Sequence, residues 1–413
     1  MPILLEELHE QQALLCSESA FYIARCALSR NSLYSASYDP SSVDLGWMTN
    51  MVRTLPQIRD QKSTGTCWLQ AACALLDTIM QKQHKGFESS VAYLAFYDKL
   101  EKSNVFLHEA YVDKRSEWHS LTHDLSDGGT WSMFVFLVRK YGVAPSYSFG
   151  ETEPSSTTDE LNDVLSNYLR HARINQCDCA LLDVHRALLR AYGPPPKHVL
   201  VIAENHVSWE GSPNDLFETA CIDFNSYVLL AHAPDRKCYT WYISSYTNDL
   251  NTPDQEKVFT VPYDEIQSAC ALAIDHDNVV WFTCDMSRRR DSSSARASMA
   301  VRNPQKLLGL TEFDMQAEES KALRMKTGGT TPEHAMLIIG YRRVKERIEA
   351  WKVQNSWGKN QNDGFIHMTD DWMFCFGFLV AVPSKFVSIC CKQKMLAASK
   401  VKCPLWDVLA QVA

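Results

Sequence analysis

An α+β fold is predicted by a change in periodicity along the chain. In the first half, apolar residues recur every three and four positions, which places them on one face of a helix. In the second half, short β-branched and aromatic runs are bounded by turn residues, the signature of strands. With 413 residues, 46% hydrophobic and 22% charged, the composition is that of an ordinary globular protein with a substantial core.

The elements follow in order. Leu4, Leu5 and Leu8 open a helical pattern, and the chain then becomes Ser-, Tyr- and Asn-rich from Ser32 to Asp44, so residues 1 to 50 are expected to form an arm wrapped on the body. Trp68, Ala72, Leu75, Leu76 and Ile79 make one apolar helix face, with Cys67 at the helix N-terminus and Gly65 allowing a tight turn before it. A second helix runs from Trp131 to Tyr141, after Gly128-Gly129 and up to Gly142 as its C-terminal cap. Leu161, Val164, Leu165, Tyr168 and Leu169 predict a third helix, starting after the capping stretch Ser155 to Thr158. A fourth, around Leu181 to Tyr192, must stop at Gly193 and Pro194 to Pro196. Strands are predicted at Tyr227–His232, Tyr239–Ile243, Val279–Thr283, Ala335–Ile339, Ala350–Gln354 and Phe378–Val382, forming an antiparallel sheet.

Charge and cysteine usage narrow the function classes. Lys and Arg number 41 against 49 Asp and Glu, a net charge of −8, which argues against a surface that holds nucleic acid by its phosphates. The one basic run, Arg288 to Arg290 followed by Asp291 to Ser294 and Arg296, is expected to be a solvated loop. No apolar run reaches the 18 or so residues of a membrane-spanning helix. The start, Met1 to Glu10, lacks a basic region followed by a clean apolar stretch, so a cytosolic protein is expected. Its 14 cysteines are then read mostly as small buried hydrophobes. Cys177-Asp178-Cys179 and Cys390-Cys391 lack the paired spacing of a zinc site, and no metal is expected.

Three separated segments carry chemistry: Gln61-Lys-Ser-Thr-Gly-Thr-Cys67-Trp68, Glu333-His334-Ala-Met, and Gln354-Asn355-Ser-Trp357-Gly. A thiolate rather than a thiol attacks a carbonyl, and a nearby imidazolium or a helix N-terminus lowers a cysteine pKa. Cys67 is therefore the candidate nucleophile and His334 its base. A third group must hold the imidazole tautomer, and Asn355 fits the Cys-His-Asn variant of the triad. Gln61, with the backbone N–H of Cys67, is the candidate oxyanion donor. Trp357 comes with Asn355 as one unit. Each of these could instead be a plain core or turn residue; it is their combination that points to catalysis. No metal or organic cofactor is required.

These motifs resemble the bleomycin hydrolase and aminopeptidase C branch of the papain superfamily of cysteine peptidases. Asp127-Gly-Gly-Thr-Trp131-Ser-Met with Lys140-Tyr-Gly-Val, Val280-Trp-Phe-Thr-Cys284-Asp, and Pro404-Leu-Trp-Asp407 match further stretches of that branch. Thr66 and Gln70 depart from it, standing where Arg and Phe are usual, and the interval from Cys67 to His334 is shorter than in its relatives. The resemblance implies a papain-like two-lobe fold, a helical lobe facing a β lobe. Segments of 1–50 (N-terminal arm), 51–150 (helical lobe with the nucleophile), 151–275 (inserted helical, hook-like subdomain), 276–400 (β lobe) and 401–413 (C-terminal arm) follow from it. It implies a cysteine aminopeptidase of peptide substrates acting through a thioester, assembled as a homohexamer. Gly128, Gly129 and Trp131 would line the cleft, Trp68 would support Cys67, the Trp357 ring would cover the Asn–His hydrogen bond and keep water off it, and the carboxylate of Ala413 would meet the substrate's α-amine. The rival readings are a peptide- or nucleic-acid-binding homologue without turnover, and an acyl or peptidyl transferase.

Overall fold

The structure of the protein is a computed structural model that describes residues 5–37, 47–108, 125–244, 256–286, 290–291, 296–297, 307–310, 318–359, 362–404 and 407–410. Two helices come first, α1 (Leu5–Cys16) and α2 (Ser19–Leu28), and neither has a buried residue. Leu5, Leu8, Leu14, Tyr22 and Ile23 all face solvent. The expectation of an arm wrapped on the body is therefore corrected over these helices, because their apolar side chains gain no cover from the rest of the chain. Part of the Ser-rich stretch, residues 38–46, lies outside the described residues.

The nucleophile helix, α3 (Cys67–Met80), is buried over almost its whole length. Beside it runs α4 (Val91–His108), the longest helix described, for which the sequence gives no periodic signal. The reason is chemical. Asp98, Lys99, Glu101 and Lys102 are buried on it among apolar neighbours, so no polar face separates from an apolar one. The helix α5 (Trp131–Tyr141) has the predicted ends: the Thr130 hydroxyl accepts from Met133 N–H at 3.3 Å, and Gly142 closes it at φ +72°. A Cβ on Gly142 would lie 2.2 Å from the Pro213 carbonyl carbon. Replacing Gly142 by Ala is expected to cost about 2–4 kcal/mol in denaturant unfolding, from the left-handed backbone and the overlap together. The helices α6 (Asp159–Ile174) and α7 (Ala180–Tyr192) match their predictions, and Gly193 ends α7 at φ +89°.

The second half forms one sheet with the strands β1 (Tyr227–Ala231), β2 (Trp241–Ser244), β3 (Lys257–Thr260), β4 (Val280–Cys284), β5 (His334–Val344), β6 (Arg347–Gln354), β7 (Phe365–Thr369), β8 (Gly377–Pro383) and β9 (Lys400–Cys403). Their order across the sheet is β9-β2-β3-β1-β8-β4-β5-β6-β7, with Asn50–Met51 paired to β5. The centre is antiparallel as expected, but β1 with β3, β9 with β2, and β7 with Arg296–Ala297 pair in parallel. Apolar alternation fixes which face of a strand is buried and says nothing of its neighbour. The segment 151–275, expected as a helical insert, divides: α6 and α7 lie on the helical side, while β1 to β3 enter the sheet. Between β3 and β4 lies α8 (Tyr263–Asp275), which the pattern reading does not resolve.

The two halves meet through aromatic side chains. Trp68 and Trp281 are fully buried, and the Trp281 indole donates to the Trp68 carbonyl at 3.2 Å, fixing α3 against β4. Among the described residues no helix is long and apolar enough to cross a membrane. The basic run at Arg288–Arg290 falls mostly outside the described residues.

Candidate active site

Three separate stretches of chain bring the predicted residues to one place. Cys67 is the first residue of α3, and His334 is the first residue of β5. Gln61, Gly65, Cys67, Asp127, Gly128 and His334 line one cleft of about 470 Å³. The start of the strand lies beside Cys67: the backbone amide of Ala335, next to His334, pulls the Cys67 thiol pKa down.

Behind His334, its Nε2 lies 2.7 Å from Asn355 Oδ1. That oxygen also accepts the backbone N–H of Ser356 at 2.8 Å. A backbone N–H can only donate, so the atom it meets is the amide oxygen, and Nε2 must carry the proton. Nδ1 is left as the ring atom that exchanges a proton with Cys67. Trp357 stacks beside the imidazole at 5.0 Å between ring centroids, in the covering position that the resemblance implies.

Gln61 is fixed at both ends of its amide. Its Oε1 accepts the Ser356 hydroxyl at 2.7 Å, and its Nε2 donates to the Thr64 carbonyl at 2.7 Å. One Nε2 proton remains for an oxyanion in the cleft. Ser356, which the sequence reading did not single out, thus orients both Asn355 and Gln61. Replacing Gln61 by Ala is expected to lower kcat roughly 100- to 1000-fold with little change in KM, read from steady-state hydrolysis of a fluorogenic peptide amide.

Burial pushes the Cys67 thiol up to about 11, although the backbone at the start of α3, at Trp68 and Cys67 themselves, pulls it down as the helix terminus predicts, and Ala335 adds to that pull. Desolvation disfavours an isolated thiolate, so ionisation must come from pairing with protonated His334.

The cleft rim also differs in part from expectation. Gly128 lines the cleft. Gly129 packs against Trp68 instead: a Cβ there would lie 2.3 Å from the indole ring. Trp131 is not among the residues that line this cleft. It is buried 5.6 Å from Trp281 and 5.2 Å from Tyr227, ring to ring, and borders a separate cavity. An indole this large finds its cover in the aromatic layer between the two halves. Ala413 lies outside the described residues. The arm is anchored as far as Ala410: β9 pairs with β2, Asp407 accepts Arg236 at 2.8 Å, and Val408 to Ala410 are buried.

A set of rim contacts escaped the sequence reading. Asp127 accepts Gly65 N–H at 3.0 Å and Asn162 Nδ2 at 3.1 Å, and it also bonds Lys99 and the Thr158 hydroxyl. Lys102 donates to Asp98 at 2.6 Å, to the Ser126 carbonyl at 2.9 Å and to the Gly128 carbonyl at 2.6 Å. An acid directly before Gly128-Gly129, with Asp98, Lys99, Glu101 and Lys102 clustered after the apolar run Val91 to Tyr97, was the available signal.

Comparison with known proteins agrees with this geometry. The model of the Peptidase C1-like family matches residues 3–410. Aminopeptidase G of Lactobacillus delbrueckii subsp. lactis is 28% identical over 98% of this chain and 99% of its own length. Aminopeptidase C of Listeria monocytogenes is 28% identical over 95% and 94%. The crystal structure of PepW from Lactobacillus rhamnosis HN001 superposes with a TM-score of 0.89 at 22% identity, covering 100% of this chain and 99% of that one. With Cys67 on the helical side, His334 opening one strand, Asn355 directly after another and a family model spanning nearly every residue, the chain belongs to the Peptidase C1-like family and has its papain-like α+β fold.

Proposed function

We propose that this protein is a cysteine aminopeptidase that removes N-terminal residues from peptides through a thioester on Cys67. The observation that carries the reading is the His334 Nε2–Asn355 Oδ1 hydrogen bond of 2.7 Å, made behind a cleft that Cys67 and His334 both line. A binding protein has no need of an imidazole held in a single tautomer. In the reaction, the thiolate adds to the scissile carbonyl while Gln61 and the Cys67 N–H hold the oxyanion. His334 then protonates the leaving amine, and water, deprotonated by the same ring, releases the acyl group.

Relatives named aminopeptidase C and G support the amino-terminal specificity. The Ala413 carboxylate is proposed as the receptor for the substrate α-ammonium, a charge-assisted pair. A homo-oligomer, a hexamer by resemblance, and a cytoplasmic location complete the proposal; all 14 cysteines stand as free thiols, in keeping with a reducing compartment.

The test compares aminoacyl fluorogenic amides with a free or an acetylated N-terminus, with and without a thiol alkylator. Alkylator-sensitive release from the free-amine series alone is expected. Inertness towards both series would overturn the enzyme reading in favour of binding. Removal of residues 411–413 should raise cleavage of the acetylated series; an unchanged end-group preference would overturn the carboxylate's role.

A further inference from the structure

Asp127 and Lys99 are buried opposite charges at the rim of the cleft that Cys67 lines, and the reaction described above gives neither a task. Lys99 is 1% exposed and Asp127 7%. The two bond each other, and Lys99 also bonds Asn162 Oδ1. Through Asp127, one carboxyl group ties together three parts of the cleft: the turn before Cys67 by Gly65 N–H, the start of α6 by Thr158 and Asn162, and α4 by Lys99. The backbone of the same residue accepts the Trp68 indole N–H at 2.6 Å. Two glycines permit this close approach: a Cβ on Gly65 would lie 3.1 Å from the Asp127 Cβ, and one on Gly129 would overlap Trp68. The residues on both sides of Cys67 are thus tied to the rim.

We propose that the Lys99–Asp127 ion pair is a positioning device for Cys67, holding its segment against the rim and cancelling a negative charge that would otherwise disfavour the thiolate. The Thr158 hydroxyl, at the position where it would cap α6, bonds Asp127 instead, and no side-chain cap is made. Asp127 is held down at about 2, against the burial that would raise it, by Lys99, Thr158 and the Gly65 N–H. It stays charged through the working range. The titratable groups around Cys67 are His334 on β5 with Glu333 just before it, the Cys284 thiol on β4, the Asp127 carboxylate on the rim, and Asp159 and Asp163 of α6, which line the same cleft. The Asp127 charge works against the thiolate, and the Lys99 ammonium beside it offsets that effect. A pair that only filled space would leave the ionisation of Cys67 untouched.

The experiment is the pH dependence of alkylation of Cys67 by iodoacetamide, followed on the Cys67 peptide by mass spectrometry, in the full chain. It compares the wild type with Asp127→Asn, Lys99→Met and the double variant. Asp127→Asn removes a negative charge, so the midpoint should fall by about one pH unit; Lys99→Met leaves that charge uncompensated, so it should rise by a similar amount. The double variant should return close to the wild type. Should Lys99→Met fail to fold, a midpoint for the double variant above that of Asp127→Asn carries the same sign. Midpoints that coincide, or that move in one direction for both charges, would overturn the proposal. The inference rests on Cys67 being the nucleophile, but its readout needs no peptide turnover. Opposite midpoint shifts in a protein inert towards every amide would sustain the inference and sink the aminopeptidase reading.

Discussion

Replacing Cys67 by Ala is expected to lower peptide hydrolysis about 10⁴- to 10⁶-fold, the scale seen when the nucleophile of a triad is removed. The side chain is 2% exposed at the start of a helix whose other residues are nearly all buried. Alanine fits the same helix position, so the fold should survive and the loss be one of chemistry. Cys73 and Cys284 serve as controls: both are buried thiols, and Cys284 lies directly across from His334 in the β4–β5 ladder. Their Ala variants should keep most of the activity and its sensitivity to alkylation. Losses for His334→Ala and Cys67→Ala should not add, because the two groups act as one ion pair. Steady-state rates of the single and double variants check this. A Cys67→Ala enzyme with more than a tenth of the wild-type rate would remove the nucleophile assignment.

The second large effect lies away from the cleft. Asp77→Ala is expected to cost about 3–5 kcal/mol, because it leaves the buried Arg59 guanidinium without its carboxylate. The two side chains are 0% and 5% exposed and bond each other. Arg59 also donates to the Ser89 carbonyl and hydroxyl, both at 3.1 Å, and Ser89 N–H donates to Asp77 at 3.0 Å. The consequence reaches the site through the backbone. Gly358 N–H donates to the Arg59 carbonyl at 3.1 Å, and Gln61 N–H donates to the Ser356 carbonyl at 2.8 Å. The extended segment that carries Arg59 is therefore the link between α3 and the Asn355 loop. Urea unfolding measures the stability term, and activity should fall at temperatures where the variant is still folded. Replacing both charges with apolar residues, as in Arg59→Met with Asp77→Leu, should recover a large part of the stability. If the double variant were as unstable as Asp77→Ala, the unpaired charge would not be the cause.

The candidate site residues, which the fold brings together, were legible because each sits in a short run whose residue types have few other reasons to occur together. Gln61, Gly65, Cys67 and Trp68 span eight positions, and Asn355 to Trp357 span three. Helix ends were legible for the same local reason, as at Gly142 and Gly193. The helix α4 was not, since Lys99 and Lys102 pair with partners at Asp127 and Gly128 that are remote in sequence. Trp131 was misplaced because an aromatic beside two glycines suits a cleft rim and an aromatic core alike.

The order of residue types along the chain by itself determined which groups are candidates for the chemistry, where the helices begin and end, and that helices precede strands, since capping, periodicity and reactivity depend on neighbours within a few positions. Only the tertiary structure decided the neighbours of each strand, the buried lysines that brace the rim, and the direction in which the surroundings push the Cys67 thiol. Those outcomes depend on which side chains share a low-dielectric interior, and that is set by contacts between residues far apart in the chain.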